Sequence, residues 1–232
     1  MARITRKELK TDKFALEVGH TVTFFEDHQK ELLRYGAGGV AVILLIIGGV
    51  WYLRHQHTVR EDALARAIQV QESPVGPNTG QGPSFPTQEA KDEVALKAFG
   101  DIQSKYSGSV EGAIAQYYLG AIEADQGKLA DAEKNFKEVA DRGDAKYASL
   151  AKFALAQIYF ADGRADQGET LLRDLIAHPT IYISNDQATI SLARFLAPKK
   201  PAEARKLLEP LRTIPGAVGQ TALQVYNELP PQ

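Results

Sequence analysis

Two stretches decide the fold: YYLGAIEADQGKLADAEKNF at residues 117–136 and FALAQIYFADGRADQGETLL at residues 153–172. In the first, Leu119-Gly120 is followed by Gly127, Ala132 and Phe136; in the second, Leu155-Ala156 is followed by Gly163, Gly168 and Leu172. The offset is 36 residues at every one of these positions. The phase extends outward from both. Ala95, Phe99 and Ile102 precede Ala132, Phe136 and Val139 by 37 residues. Leu192-Ala193 is followed by Ala204, Leu208 and Leu211, and Pro215-Gly216 closes that unit. Ala, Leu, Glu, Lys and Gln dominate from Gln88 onward, the residues that cost least in a helix, and no segment sustains strand-type alternation. Helices are expected near 88–106, 110–126, 129–141, 145–161, 165–177, 185–196, 201–213 and 217–228, which makes the chain all-α.

The phased pattern resembles the tetratricopeptide repeat, a helical hairpin with a large-then-small pair in helix A, a glycine at the turn and a small residue in helix B one turn before an aromatic or leucine. Each requirement has a cause. Gly120, Ala156, Ala132 and Gly168 let antiparallel helices approach closely, and Gly127 and Gly163 take positive φ to end helix A. Phe136 and Leu172 fill the gap between neighbouring repeats. The sequence departs from the family at Gln116 and Lys152, where helix A usually carries an aromatic, and at Asp144, where no proline ends the repeat. The resemblance covers about residues 88–215 and implies an α-solenoid of about three and a half repeats. A helix at 58–72 fits as helix A of a first repeat, and the last helix, with Ala222, Val225, Tyr226 and Leu229, as the cap that hides the end of the array.

Upstream lies an uncharged run of 19 residues, YGAGGVAVILLIIGGVWYL, at positions 35–53. As a helix it spans roughly 28 Å, close to the ~30 Å hydrocarbon thickness of a bilayer. Arg34 and Tyr35 stand at one end, and Trp51, Tyr52 and Arg54 at the other, the basic and aromatic residues that headgroups favour. A single transmembrane helix is expected, with these five as interface anchors. The tail at 1–34 carries seven Lys/Arg and the first 20 residues after the span carry three, so the N-terminus is expected in the cytoplasm and residues 54–232 across the membrane. Within the 20 residues before the span the count is two against three, so the direction rests on the whole tail. Phe14, Val18, Val22, Phe25, Leu32 and Leu33 fall near one stripe, which predicts an amphipathic helix in that tail. Residues 73–87, SPVGPNTGQGPSFPT, hold four prolines and three glycines and read as a flexible loop.

Taken together, the Phe24-Phe25-Glu26 string, the Gly-rich anchor ending in Trp51-Tyr52 and the repeat ectodomain resemble the YfgM-like ancillary subunits of the bacterial SecYEG translocon. That resemblance implies a bacterial inner-membrane protein with periplasmic repeats that associates with translocon subunits, periplasmic chaperones or translocating chains.

Catalytic signals are sparse. The chain has no cysteine, so thiol chemistry and disulfides are excluded. With 44% apolar and 24% charged residues it is a folded protein, and its net charge of −2 gives no basic field for nucleic acid. His55 and His57 point to different helix faces, a poor chelate. Asp125, Asp131 and Asp162 flank repeat turns as helix-terminus residues. No P-loop, GxGxxG or GxSxG string occurs. A non-enzymatic scaffold for proteins or peptides is therefore expected, without cofactor, metal, nucleic acid or small-molecule substrate. Its expected role is a chaperone-like adaptor at the translocon; the alternative is a structural assembly factor for another envelope complex, in cell division or outer-membrane biogenesis. By the register of the family the resemblance brings in, the concave face carries Ile114, Tyr117 and Ala121 in one repeat and Phe153, Gln157 and Phe160 in the next.

Overall fold

The computed structural model describes residues 29–77 and 83–230. The amphipathic helix read in the tail falls almost wholly outside the described residues, as does the middle of the Pro/Gly loop. The helices are α1 (Gln29–Glu72), α2 (Gln88–Lys105), α3 (Val110–Asp125), α4 (Leu129–Arg142), α5 (Ala145–Ala161), α6 (Ala165–Ala177), α7 (Asn185–Leu196), α8 (Pro201–Leu208) and α9 (Ala217–Glu228), with a 3-10 turn at Leu211–Thr213. Among the described residues no strand forms. A single β-bridge joins Val75 to Phe85 across the neck of the loop, where Gly76 donates to the Phe85 carbonyl at 2.8 Å and Phe85 to the Pro74 carbonyl at 3.1 Å. Contacts divide the chain into two units, Met1–Thr58 and Val59–Gln232.

In the first unit, every residue of 35–53 is exposed. The most apolar 18-residue stretch of α1 has a mean hydropathy of 2.0 and none of it is buried. The helix is thus long and apolar enough to cross a membrane, and no packing within the unit covers it. At the end of the stretch Trp51 stacks on His55 with ring centroids 5.6 Å apart. The sequence reading separates the span from a helix at 58–72. The structure instead has one continuous helix, since nothing between Leu53 and Thr58 breaks it and the Thr58 hydroxyl donates back to the Arg54 carbonyl at 3.2 Å.

The second unit is built of hairpins. Leu64 and Ala67 of α1 share a core with Ala95, Phe99 and Ile102 of α2 and with Ala115 and Ile122 of α3. Ala132, Phe136 and Val139 of α4 pack with Ala151 and Leu155 of α5. Leu172 and Leu175 of α6 join α7, α8 and α9 through Leu192, Leu208 and Val225. The small residues act as expected. A Cβ on Gly120 would meet the Phe136 ring at 3.0 Å, and one on Gly168 would meet the Phe160 ring at 2.7 Å and the Ala156 carbonyl at 3.0 Å. Gly127 and Gly163 sit at φ +74° and +78°, the left-handed conformation that ends α3 and α5.

The departures from the family pattern have local causes. Gln116 donates to Glu138 at 2.5 Å and to Asn135 at 3.3 Å; Lys152, its equivalent one repeat on, pairs with Asp174 at 2.6 Å. A polar tie between helix A and helix B thus replaces the aromatic in both hairpins. Asp144 caps α5 by accepting from the backbone N–H groups of Lys146 and Tyr147. The helix expected over 201–213 stops at Leu208, because Pro210 has no N–H to donate and its ring crowds the preceding turn.

A second repeating feature joins successive hairpins. Glu133 on α4 accepts two bonds from Arg164, at 2.9 and 2.6 Å, and pairs with Lys137 at 2.6 Å. Thirty-six residues on, Glu169 on α6 pairs with Arg173 at 2.7 Å and with Lys200 at 3.0 Å. The equivalent positions toward either end are Leu96 and Arg205, so the clasp cannot form there. Arg205 instead donates to the Pro230 carbonyl at 2.7 Å and ties down the chain after α9.

Bonds from Arg164 and then Lys137 hold the Glu133 carboxyl at about 2, against an ordinary 4.5. The carboxylate is favoured in the folded state, so its contribution is complete above pH 4.5 and falls away as the pH drops toward 2. Glu133→Gln is expected to lower Tm by a few degrees at pH 7 and to flatten the loss of stability between pH 4.5 and 2. Urea unfolding of both proteins across that range measures the difference; an unchanged slope means that the clasp contributes nothing.

Candidate functional site

The helix A elements α3, α5 and α7, with α9 after them, line two adjoining grooves. The first, about 410 Å³, lies between α3 and α5 against the start of α4, and Tyr117, Ala121, Asp125, Leu129, Phe153 and Gln157 are among its walls. The second, about 780 Å³, runs from α5 across α7 to α9 over Phe153, Gln157, Ile190, Arg194, Phe195 and Val218. Phe153 and Gln157 belong to both, so the two form one tract crossing four helices.

Register explains the tract. Residues three and four apart share a helix face, so Tyr117 with Ala121 and Phe153 with Gln157 point the same way. The same spacing recurs 37 residues after Phe153 and Gln157, at Ile190 and Arg194. Tyr117 is held from below by the Phe136 ring at 5.6 Å and from the side by Tyr147 at 5.7 Å. Tyr147 in turn meets Tyr182 at 5.5 Å, and Tyr118 stacks on Phe99 at 4.8 Å. Burial, followed by the neighbouring Tyr118 and Asp125, pushes the Tyr117 phenol above its ordinary value, and burial does the same to Tyr147. Both rings therefore stay neutral at physiological pH.

Of the six positions expected on the partner-facing side, Tyr117, Ala121, Phe153 and Gln157 line the tract. Ile114 does not: it packs against the core of Leu64, Phe99 and Ala115. Phe160 also lies outside, stacked on Phe195 at 3.9 Å and pressed against Gly168. These two sit a turn to either side of the tract, where helix A faces its own hairpin or the next one. Sequence reasoning passed over Ile190, Arg194, Phe195 and Val218, and also over Tyr147 and Tyr182. One further step of the repeat offset reaches Ile190 and Arg194; the loop tyrosine Tyr182 carries no such signal.

Ionisable groups do not converge on the tract. Its charged lining residues are Asp125 in the first groove and Arg194 in the second. Among the described residues no group of three His, Asp or Glu side chains is placed to hold a metal ion. His178 ends α6, with Nδ1 3.0 Å from Asp174. Asp131 stands in the first turn of α4 and Asp162 just past α5, 2.8 Å from Arg164. Asp125 is the last residue of α3, on the rim of the groove.

A family model described as the tetratricopeptide repeat-like domain matches residues 24–179, more than half of the chain. The chain belongs to that family. The match takes in the apolar helix as well as the first repeats, so the tetratricopeptide repeat-like domain here includes the segment that leads into the array. Tetratricopeptide repeat-like domains are generally interaction modules rather than catalysts, and the repeats suggest a protein–protein interaction scaffold. Neither the curated proteins nor the solved structures hold a match to this tetratricopeptide repeat protein.

Proposed function

We propose that this protein is a membrane-anchored, non-enzymatic scaffold that holds an extended segment of a partner protein in the α3–α5–α7–α9 tract. The observation that carries the reading is the tract itself: Tyr117 and Phe153 stand on one face across two repeats, Tyr117 braced by the Phe136 and Tyr147 rings, with few charges beside them. Rigid aromatic anchors on helix faces are how interaction surfaces concentrate their binding energy. The exposed apolar stretch of α1 supports the anchor, for an uncovered apolar helix of that length is costly in water.

The finer reading follows the anchor. The N-terminus lies in the cytoplasm and the repeats lie in the periplasm of a bacterial inner membrane, with Arg34, Tyr35, Trp51, Tyr52 and Arg54 at the bilayer edges. The protein acts as a chaperone-like adaptor beside the secretion translocon, in the manner of its YfgM-like resemblance. What supports this is the basic tail, the aromatic edges of the span and the repeat domain that follows it. Crosslinking in intact membranes followed by pull-down tests the partner: recovery of translocon subunits is the expected result. Recovery of cell-division or outer-membrane assembly proteins without them replaces the adaptor reading with that of an assembly factor. A reporter active only outside the cytoplasm, fused after Gln232, tests the direction and should be active; activity of a cytoplasm-only reporter there reverses it.

A further inference from the structure

Along the tract the equivalent positions on α3, α5 and α7 are Ala121, Gln157 and Arg194, a sequence from apolar through amide to cation. Arg194 is exposed, and among the described residues it has no hydrogen-bond or ion-pair partner. Other cations are engaged, Arg164, Arg173 and Lys200 by glutamates of the clasps and Lys152 by Asp174; among the described residues Lys128 and Lys199 at the repeat turns have no side-chain partner, but neither lines the tract. A cation in the last turn of a helix complements the dipole, as Lys105 does in α2 and Arg142 in α4, but of these three only Arg194 also lines the tract. Among the described residues, Arg194 is also the only charged one lining the second groove.

We propose, on the basis of the scaffold reading above, that Arg194 selects an acidic side chain within the bound segment, about three residues from an apolar side chain seated against Phe153. The spacing comes from the helices. Phe160 and Phe195 stack at 3.9 Å, so α5 and α7 meet through large side chains, at the wide end of the usual roughly 8–10 Å between helix axes, and an extended chain covers roughly 10 Å in about three residues. The acid belongs to the interior of the segment and not to its C-terminus, because the groove continues past Arg194 to Val218 and Thr221 on α9. A guanidinium can take a carboxylate through two parallel bonds, and an occupant that covers Arg194 strengthens them by excluding water.

Affinity selection of random nonapeptides, acetylated and amidated at their ends, on the purified full chain in lipid nanodiscs tests this. Wild-type protein should enrich Asp and Glu about tenfold over Asn and Gln at the position three residues from an apolar anchor. Arg194→Glu should reverse the preference to Lys and Arg, and Arg194→Gln should abolish it while the apolar preference survives. Both variants change an exposed residue, and unchanged melting confirms that they fold. Apolar enrichment without any acidic preference, lost on Phe153→Ala, overturns the role of Arg194 and leaves the scaffold reading standing. No enrichment of any kind overturns both. Acidic selection that appears only with free carboxyl termini overturns the interior placement.

Discussion

Phe136→Ala lowers the unfolding free energy of the repeat domain by about 3–5 kcal/mol, the range for truncating a buried phenylalanine. The ring is 2% exposed, lies against Gly120 and packs with Val139, Ala151 and Leu155 at the junction of two hairpins. No neighbour can collapse into the space, since Gly120 has no side chain and Tyr117 is already engaged by Tyr147. In a solenoid each repeat is stabilised through its interfaces, so the loss reaches both hairpins. Chemical denaturation of the wild type and the variant measures it, with the exposed Lys134→Ala as a control expected within about 0.5 kcal/mol of wild type. A loss below about 1 kcal/mol for Phe136→Ala contradicts the packing described for this junction.

The second large effect lies in the span. On the proposed membrane reading, Leu44→Arg together with Ile46→Arg replaces two apolar residues at the middle of the apolar stretch. Each exchange shifts the balance by about 3–4 kcal/mol on the insertion scale, and the pair by about 6–8 kcal/mol. The double variant should move from the carbonate-resistant membrane pellet to the soluble fraction. Its repeats should melt as in the wild type, because both residues lie outside the Val59–Gln232 unit. Retention in the pellet contradicts a lipid-facing helix at 35–53.

The repeats were legible because their constraints are local and recur at a fixed offset. Only a glycine turn and a small residue opposite a ring satisfy the close approach at Gly120–Phe136 and Gly168–Phe160, and those residue types stand out in one sequence. The Pro/Gly loop and the apolar run are legible for the same reason: composition alone restricts what they form. The residues lining the tract were half legible. Register put Tyr117, Ala121, Phe153 and Gln157 on the shared face, yet Ile114 and Phe160 differ from them by less than one turn, and the neighbouring helix decides where each goes. Ile190 and Arg194 lie 37 residues after Phe153 and Gln157, the offset that also separates Leu155-Ala156 from Leu192-Ala193, but the positions expected on the partner-facing side stop one repeat short of them. The Glu133–Arg164 clasp joins residues 31 apart in sequence across a hairpin junction, a distance no helical periodicity connects. The end of α8 was misread: the helix expected over 201–213 ran through Pro210, a residue that stops a helix whatever the repeat requires.

The scaffold reading stands or falls on which face of the repeats meets a partner. Photo-crosslinking residues placed one at a time at Gln157, on the tract, and at Thr170, exposed on α6 away from it, test this in the native membrane. The account predicts protein adducts from Gln157 that Phe153→Ala diminishes, and none from Thr170. Adducts from Thr170 with none from Gln157 would contradict it.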